Sequence, residues 1–212
     1  MKSAIAILGA GGVGNALASR LFPLGLDVRF GVRNPAVAPK EVSPTLASVP
    51  RLSPAAAASG AHFVFLAVPS EAALATARAA RLDKGQILVD CTNPLLWERG
   101  VEWNPPAEGS QSQALAAALP GVAVIKGFNH FGAEVTANPA LRGGPADAFF
   151  AGDDSQAKAR VMDLALRMGL RPHDAGPLRN AAVLENLAVL WIHQAIAGGL
   201  GREFSFRIDP RR

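Results

Sequence analysis

A chain of 212 residues, half of them apolar, can build one full hydrophobic core but is too short for two ample domains. Its formal charge of +4 comes from 21 basic and 17 acidic residues scattered along the chain, without the basic stripe and interleaved aromatics of a nucleic-acid binder. The single cysteine, Cys91, excludes an internal disulfide framework and fits a reducing, cytoplasmic setting.

Lys2 followed by an apolar stretch has the outline of a secretory leader. The stretch is short and runs straight into glycines with a structural use, so no leader is expected. AIAIL over 4–8 predicts a strand buried on both faces. A helix should follow over 13–25, with Val13, Ala16, Leu17 and Leu21 at helical spacing and Gly25 closing it. DVRFGV over 27–32 reads as the second strand. Five prolines from Pro35 to Pro54 (35, 39, 44, 50 and 54) break the next segment into loop and short pieces. HFVFLAV over 62–68 is a strand ended by Pro69, with Ser70 placed to cap a helix over 71–80. Further strands are expected over 86–91 and 122–128, separated by an irregular loop over 97–109 and a helix over 112–119. A strand over 147–152, a helix over 154–169 and a short strand over 170–176 come next. The last helix, from about 178 to 197, is apolar but interrupted by Glu185, Asn186, His193 and Gln194, short of the roughly 18 clean apolar residues of a membrane span. This alternation predicts an α/β fold: a Rossmann-type, doubly wound, mainly parallel sheet in one domain over 1–212, with a C-terminal helix and tail from about 178.

GAGGVG places Gly9, Gly11 and Gly14 as G-x-G-x-x-G between a predicted strand and a predicted helix, the context in which the pattern signals a dinucleotide site. Gly9 permits the tight turn, Gly11 lets backbone approach a pyrophosphate, and Gly14 lets the helix pack against the strand. Such folds usually end the second strand with an acidic residue that holds the ribose 2′-hydroxyl. Here Val32 is followed by Arg33, a planar and permanently charged fork suited to a 2′-phosphate, so the cofactor is read as NADP(H). Arg33 stacking on adenine or facing solvent is the competing reading. Three later strands end in LAVPSE, DCTNP and KGFNHFG, which should converge on one crevice at the carboxyl edge of the sheet. Thr92, Asn93, Asn129 and His130 are its polar groups, with Asn93 and Asn129 equally readable as turn formers. His130 is the imidazole available as a proton donor, against a structural or stacking role, because hydride transfer depends more on position than on acid catalysis. His62 and His193 read as structural and His173 stays open. No metal ligand set is expected.

With GAGGVG, GVRNP, LAVP, DCTNP, KGFNHFGAE, AGDD, DAGPL and LENLAVLWI in hand, the chain resembles the NADPH-dependent coenzyme F420 reductase family over nearly its whole length. It is also similar to the reductase domain of the six-transmembrane metalloreductases. The resemblance implies hydride transfer between NADP(H) and the deazaflavin F420, or a flavin such as FMN or FAD, and a homodimer to which the C-terminal helix contributes. By position it implies that Gly9, Gly11, Gly12, Val13 and Gly14 face the pyrophosphate. Val32, Arg33 and Asn34 would flank the 2′-phosphate, and Val68 and Pro69 the nicotinamide, with Asn93 and Pro94 beside them. Asn129, His130 and Phe131 would border the deazaflavin, with His130 and Asn129 as the catalytic candidates. The family often has GSR or GAR where this chain has GVR, so Val32 removes a hydroxyl. Archaeal members have an imidazole where Asn129 aligns; here it falls one position later. An imine or β-hydroxyacid reductase needs a longer helical domain than remains after the sheet. A sensor or scaffold that binds NADPH without turnover is the reading from a different class.

Overall fold

The computed structural model describes residues 4–37 and 44–211, so Lys2 and Pro39 lie outside the described residues. Strand β1 (Ala4–Leu8) is buried at every position, as an unbroken apolar run demands of a strand covered on both faces. Strands β2 (Asp27–Gly31), β3 (Arg51–Leu52), β4 (Phe63–Leu66) and β5 (Ile87–Asp90) follow it in the chain. A small antiparallel hairpin, β6 (Leu95–Leu96) and β7 (Glu102–Trp103), precedes β8 (Ala123–Lys126). The main sheet runs β3-β2-β1-β4-β5-β8 with all five pairings parallel. The order reverses between β1 and β4, the switch point at which open α/β sheets leave a crevice beyond the carboxyl ends of their strands.

Alternate residues serve the two faces, as the two-residue period of a strand requires. Ile5, Ile7, Phe65, Val89 and Ile125 share one core with Leu17 and Leu21 of α1 (Gly12–Leu21) and Val161 and Leu164 of α6 (Ser155–Arg167). Ala6, Leu8, Val64, Leu66 and Leu88 share the other with α2 (Pro54–Ala58), α3 (Ser70–Ala79) and α4 (Gln111–Ala118). Phe128 packs edge-on against Phe65 and Phe150, with ring centroids 5.6 and 5.1 Å apart. Each such pair adds roughly 0.5–1.5 kcal/mol beyond the area it buries.

Past β8, the short helix α5 (Ala133–Ala137) packs on α1, and a two-residue hairpin, β9 (Ala140–Leu141) with β10 (Gly144–Pro145), leads to β11 (Asp147–Phe150). A single antiparallel bridge between Lys126 and Ala151 joins β11 to the main sheet, and β12 (Arg171–Asp174) extends it in parallel. Helix α7 (Ala181–Ile196) closes the fold. The chain after it folds back through turns and irregular backbone rather than helix. Trp191 Nε1 donates to the Phe204 carbonyl at 2.8 Å, and the Ile208 amide donates to Asp147 Oδ2 at 2.6 Å. No helix among the described residues is long and apolar enough to cross a membrane.

Two local expectations change. Ser70 lies inside α3 rather than capping it, because Pro69 is the residue that leaves helical geometry (φ −54°, ψ 144°). The side-chain caps fall at Ser53, Ser110 and Asp154, each accepting the amide three residues on. The stretch expected to be irregular over 97–109 contains β7, whose partner β6 lies just before it.

Candidate functional site

The turn from β1 into α1 is shaped by what cannot fit. Gly9 takes φ +110°, and a Cβ there would come within 2.2 Å of the Ala67 carbonyl oxygen. One on Gly14 would come within 2.1 Å of the Gly9 carbonyl oxygen. Neither position tolerates a side chain, which forces strand, turn and helix together. Gly11 differs: it is exposed, and a Cβ built on it meets nothing within 4 Å. Gly12, also exposed, would touch only the Ala133 methyl at 3.9 Å. The N-cap of α1 is Gly11 itself, with no side-chain cap and no acidic residue in the first turn. The free amides of that turn therefore face open space bounded by bare backbone, which fits a pyrophosphate.

At the end of β2, the Val32 amide donates to the Leu52 carbonyl at 2.8 Å and its side chain packs into the core. Arg33 is exposed and makes no ion pair or hydrogen bond among the described residues. Arg29, by contrast, is tied to Asp27 and to the Ser59 carbonyl. Asn34 turns its side chain onto the Ala36 amide at 3.2 Å, making it the turn former after Arg33. Val68 leans over Gly9, with Cγ1 3.0 Å from where a Cβ would stand, and Pro69 is exposed beside it.

The ends of β5 and β8 meet α1 and α7 around a cavity of about 180 Å³. Val13, Cys91, Phe128, Phe131, Trp191 and Ile196 line it, with Asn93 and Asn129 as its uncharged polar side chains. It opens past Trp97 and Ile196, 59% and 64% exposed. A larger groove, about 480 Å³, lies at the starts of β5 and β8, the edge of the sheet opposite the Gly9–Gly14 turn. Open parallel sheets bind at the carboxyl edge, so the smaller cavity is the candidate site.

The two asparagines lock each other. Asn93 Nδ2 donates to the Asn129 carbonyl, and Asn129 Nδ2 donates to Asn93 Oδ1, both at 2.8 Å. Asn129 Nδ2 also reaches the Leu184 carbonyl of α7 at 3.0 Å. Pro94 is buried behind them. Their geometry starts at Phe128, which holds φ +58° without being glycine. That conformation costs on the order of 1–2 kcal/mol and is offset by the ring's place in the core.

His130 is not where the proton-donor reading needs it. The residue is fully buried, outside the cavity lining, wedged between Phe131 and Phe149 at centroid distances of 4.7 and 5.2 Å. Its Nε2 accepts from the Phe149 amide at 3.4 Å and its Nδ1 faces Asn129 Oδ1 at 3.3 Å. Burial pushes its pKa down to about 4, against smaller opposing effects of Asp147, so the ring is neutral at physiological pH. The turn at Phe128 aims Asn129 and Phe131 at the cavity and His130 away from it. Burial pushes the Cys91 thiol far above the usual range, which leaves an inert wall group. His62 and His193 are exposed, and His173 sits 3.2 Å from Asp147 Oδ1.

The sequence reading missed a buried ion triad behind this cavity. Lys126 Nζ donates to Asp90 Oδ2 and Glu185 Oε1, each at 3.0 Å, and to the Thr92 carbonyl at 2.5 Å. Asp90 also accepts from Ser112 Oγ and from the Thr92 amide and hydroxyl. Glu185 accepts from Trp103 Nε1 and the Gln111 amide. All three ionised side chains are fully buried. Burial alone would lower the Lys126 pKa, but the two carboxylates outweigh it and hold it above the usual lysine value. DCTNP, KGFN and LEN therefore converge on one polar lock that ties α7 to β5 and β8. An acidic residue inside an apolar helix was the signal that could have exposed it.

Residues 4–94 match the family model described as NADP oxidoreductase coenzyme F420-dependent. A crystal structure from Arthrobacter sp. FB24, provisionally described as an F420-dependent NADP-reductase, is 32% identical with a TM-score of 0.89, covering 98% of this chain and all of that one. Metalloreductase STEAP3 from Rattus norvegicus is 34% identical over 85% of this chain, and STEAP2 from Homo sapiens 29% over 88%. The chain spans about a third of the length of these curated relatives, 35% and 36% respectively. With a glycine cradle, a mainly parallel Rossmann-type sheet and these relatives, the chain belongs to the family of coenzyme F420-dependent NADP oxidoreductases.

Proposed function

We propose that this protein transfers hydride between NADP(H) and F420 or a flavin bound in the cavity beside α1. One observation carries the reading: the uncapped, side-chain-free start of α1 opens at Val13 into the apolar cavity, and Arg33, exposed just past the end of β2, makes no hydrogen bond or ion pair among the described residues. NADP(H) supplies the hydride when bound. The amides of Gly11, Gly12 and Val13 would hold its pyrophosphate and the Arg33 fork its 2′-phosphate. The Asn93–Asn129 pair, Phe131 and Trp191 would hold the acceptor ring flat and exclude water, since the reacting atoms must approach within roughly 3–3.5 Å. Asn129 and His130 serve as positioning residues in this reading: both side-chain polar atoms of Asn129 are engaged, and His130 braces the loop. A reducing, cytoplasmic setting suits the free thiol of Cys91. Val183, Leu190 and Ile196, 64%, 47% and 64% exposed on α7, suit a homodimer.

The test is NADPH oxidation by the purified protein with F420, FMN, FAD or no acceptor, run for wild type and Arg33→Ala. Turnover with F420 or a flavin is the expected result, and NADPH binding without any turnover returns the protein to the sensor class. Arg33→Ala should lower NADPH affinity by about 1.5–3 kcal/mol, roughly 10- to 150-fold, and leave NADH affinity alone. An unchanged NADPH-to-NADH ratio would overturn the 2′-phosphate assignment.

A further inference from the structure

Among the described residues that line the cavity, Arg202 alone carries a charge. It is preplaced rather than dangling. Its Nε donates to Glu134 Oε1 at 2.6 Å, and its guanidinium carbon lies 5.8 Å from the centre of the Trp191 ring. The backbone on both sides is pinned. The Leu200 and Gly201 amides donate to the Gln194 and Ala195 carbonyls at 3.1 Å, and the Phe204 carbonyl accepts from Trp191 Nε1. Gly132 makes room for this arrangement, because a Cβ there would stand 2.4 Å from Glu134 Oε2 and 3.0 Å from both the Arg202 carbonyl and the Trp191 ring. Glu134 uses one donor of the guanidinium. Its two terminal nitrogens make no hydrogen bond among the described residues, and the side chain is 56% exposed at the cavity mouth.

A guanidinium clamped through Nε offers the planar pair of terminal N–H groups that binds a phosphate or carboxylate bidentately. We propose that Arg202 anchors the anionic side group of the hydride acceptor and thereby selects phosphate- or carboxylate-bearing acceptors over neutral ones with the same ring. The inference rests on the hydride-transfer reading above. It assigns the ring to the apolar wall and the anion to Arg202, so Arg202 contributes to acceptor binding and not to the chemical step.

The experiment takes the NADPH-loaded protein and the acceptor that wild type reduces, paired with the same ring stripped of its phosphate: FMN with riboflavin, or F420 with its phosphate-free ring–ribityl fragment. Arg202→Gln should raise KM for the phosphorylated acceptor about tenfold to a hundredfold, with kcat unchanged, and shift KM for the stripped ring less than about twofold. Arg202→Lys, which keeps the charge and loses the fork, should fall between. Equal KM shifts for both members of the pair, or none, overturn the assignment. A wild-type protein that binds NADPH but neither binds nor reduces any of these acceptors refutes the hydride-transfer reading itself, and the inference with it. Arg202 lies on the surface, so matching melting curves for the variants show that the comparison is between folded proteins.

Discussion

Replacing Lys126 with methionine tests whether the triad behind the cavity is an ionised lock. Methionine has nearly the length and volume of lysine, so the variant leaves little void, and the change is in charge and hydrogen bonding. Lys126 spends its three N–H groups on Asp90, Glu185 and the Thr92 carbonyl, with none reaching solvent. Without it, two fully buried carboxylates remain with no cation between them. Breaking a buried ion pair in this way costs about 3–5 kcal/mol, a large share of the roughly 5–15 kcal/mol that holds a domain folded. Urea unfolding at pH 7 measures the loss. Tryptophan fluorescence follows the transition, and Trp103 brings the lock into that signal because its Nε1 donates to Glu185 Oε2 at 2.9 Å. Adding Glu185→Gln to Lys126→Met removes one stranded charge and should recover part of the stability, so the two losses are far from additive. A Lys126→Met cost below about 1 kcal/mol, or simple additivity in the double variant, would refute an ionised lock.

The open space above Gly11 gives a second test: Gly11→Ala should leave the melting temperature of the free protein nearly unchanged and weaken NADPH binding at least tenfold, measured by titration. A large loss of stability with intact binding would show that the space is not the cofactor's. His130 gives a pH dependence. The unfolded imidazole takes a proton near pH 6.5 and the folded one only near 4, so the contribution of His130 to stability is fully present above pH 6.5, falls as pH drops between these values, and is lost by about pH 4. The shift corresponds to about 3 kcal/mol, and His130→Gln should flatten urea stability across that window. An unchanged slope in the variant would mean the ring is protonated in the fold.

Most of the frame was legible because its signals are periodic or local. β1, β4 and β5 read as unbroken apolar runs, and Gly9 and Gly14 sit where a side chain has no room. Arg33 stands out by substitution, where a carboxylate is usual, and among the described residues it makes no hydrogen bond or ion pair. The triad was not legible, because its members lie 36 and 59 residues apart in sequence, each at a position with an ordinary local explanation. Asp90 and Lys126 look like strand ends and Glu185 like a polar interruption of a helix. Arg202 escaped for a related reason: nothing in a glycine-rich tail announces that it folds back over Trp191.

The misplacement of His130 shows how the site is organised. Backbone that stayed extended past β8 would turn successive residues to opposite faces, a simple count along the chain. Phe128 breaks that count by taking a left-handed conformation, which glycine would adopt more cheaply, because only a large ring fills the space between Phe65 and Phe150. Core packing thus dictates the turn, and the turn presents Asn129 and Phe131 to the cavity while burying the imidazole. The Asn129 side chain then reaches the Leu184 carbonyl, one residue before Glu185 of the ion lock. Polar lock, strained turn and cavity wall form one connected structure, so substitutions in the lock should disturb the cavity wall as well as stability, although no ionised atom of the lock lines the cavity.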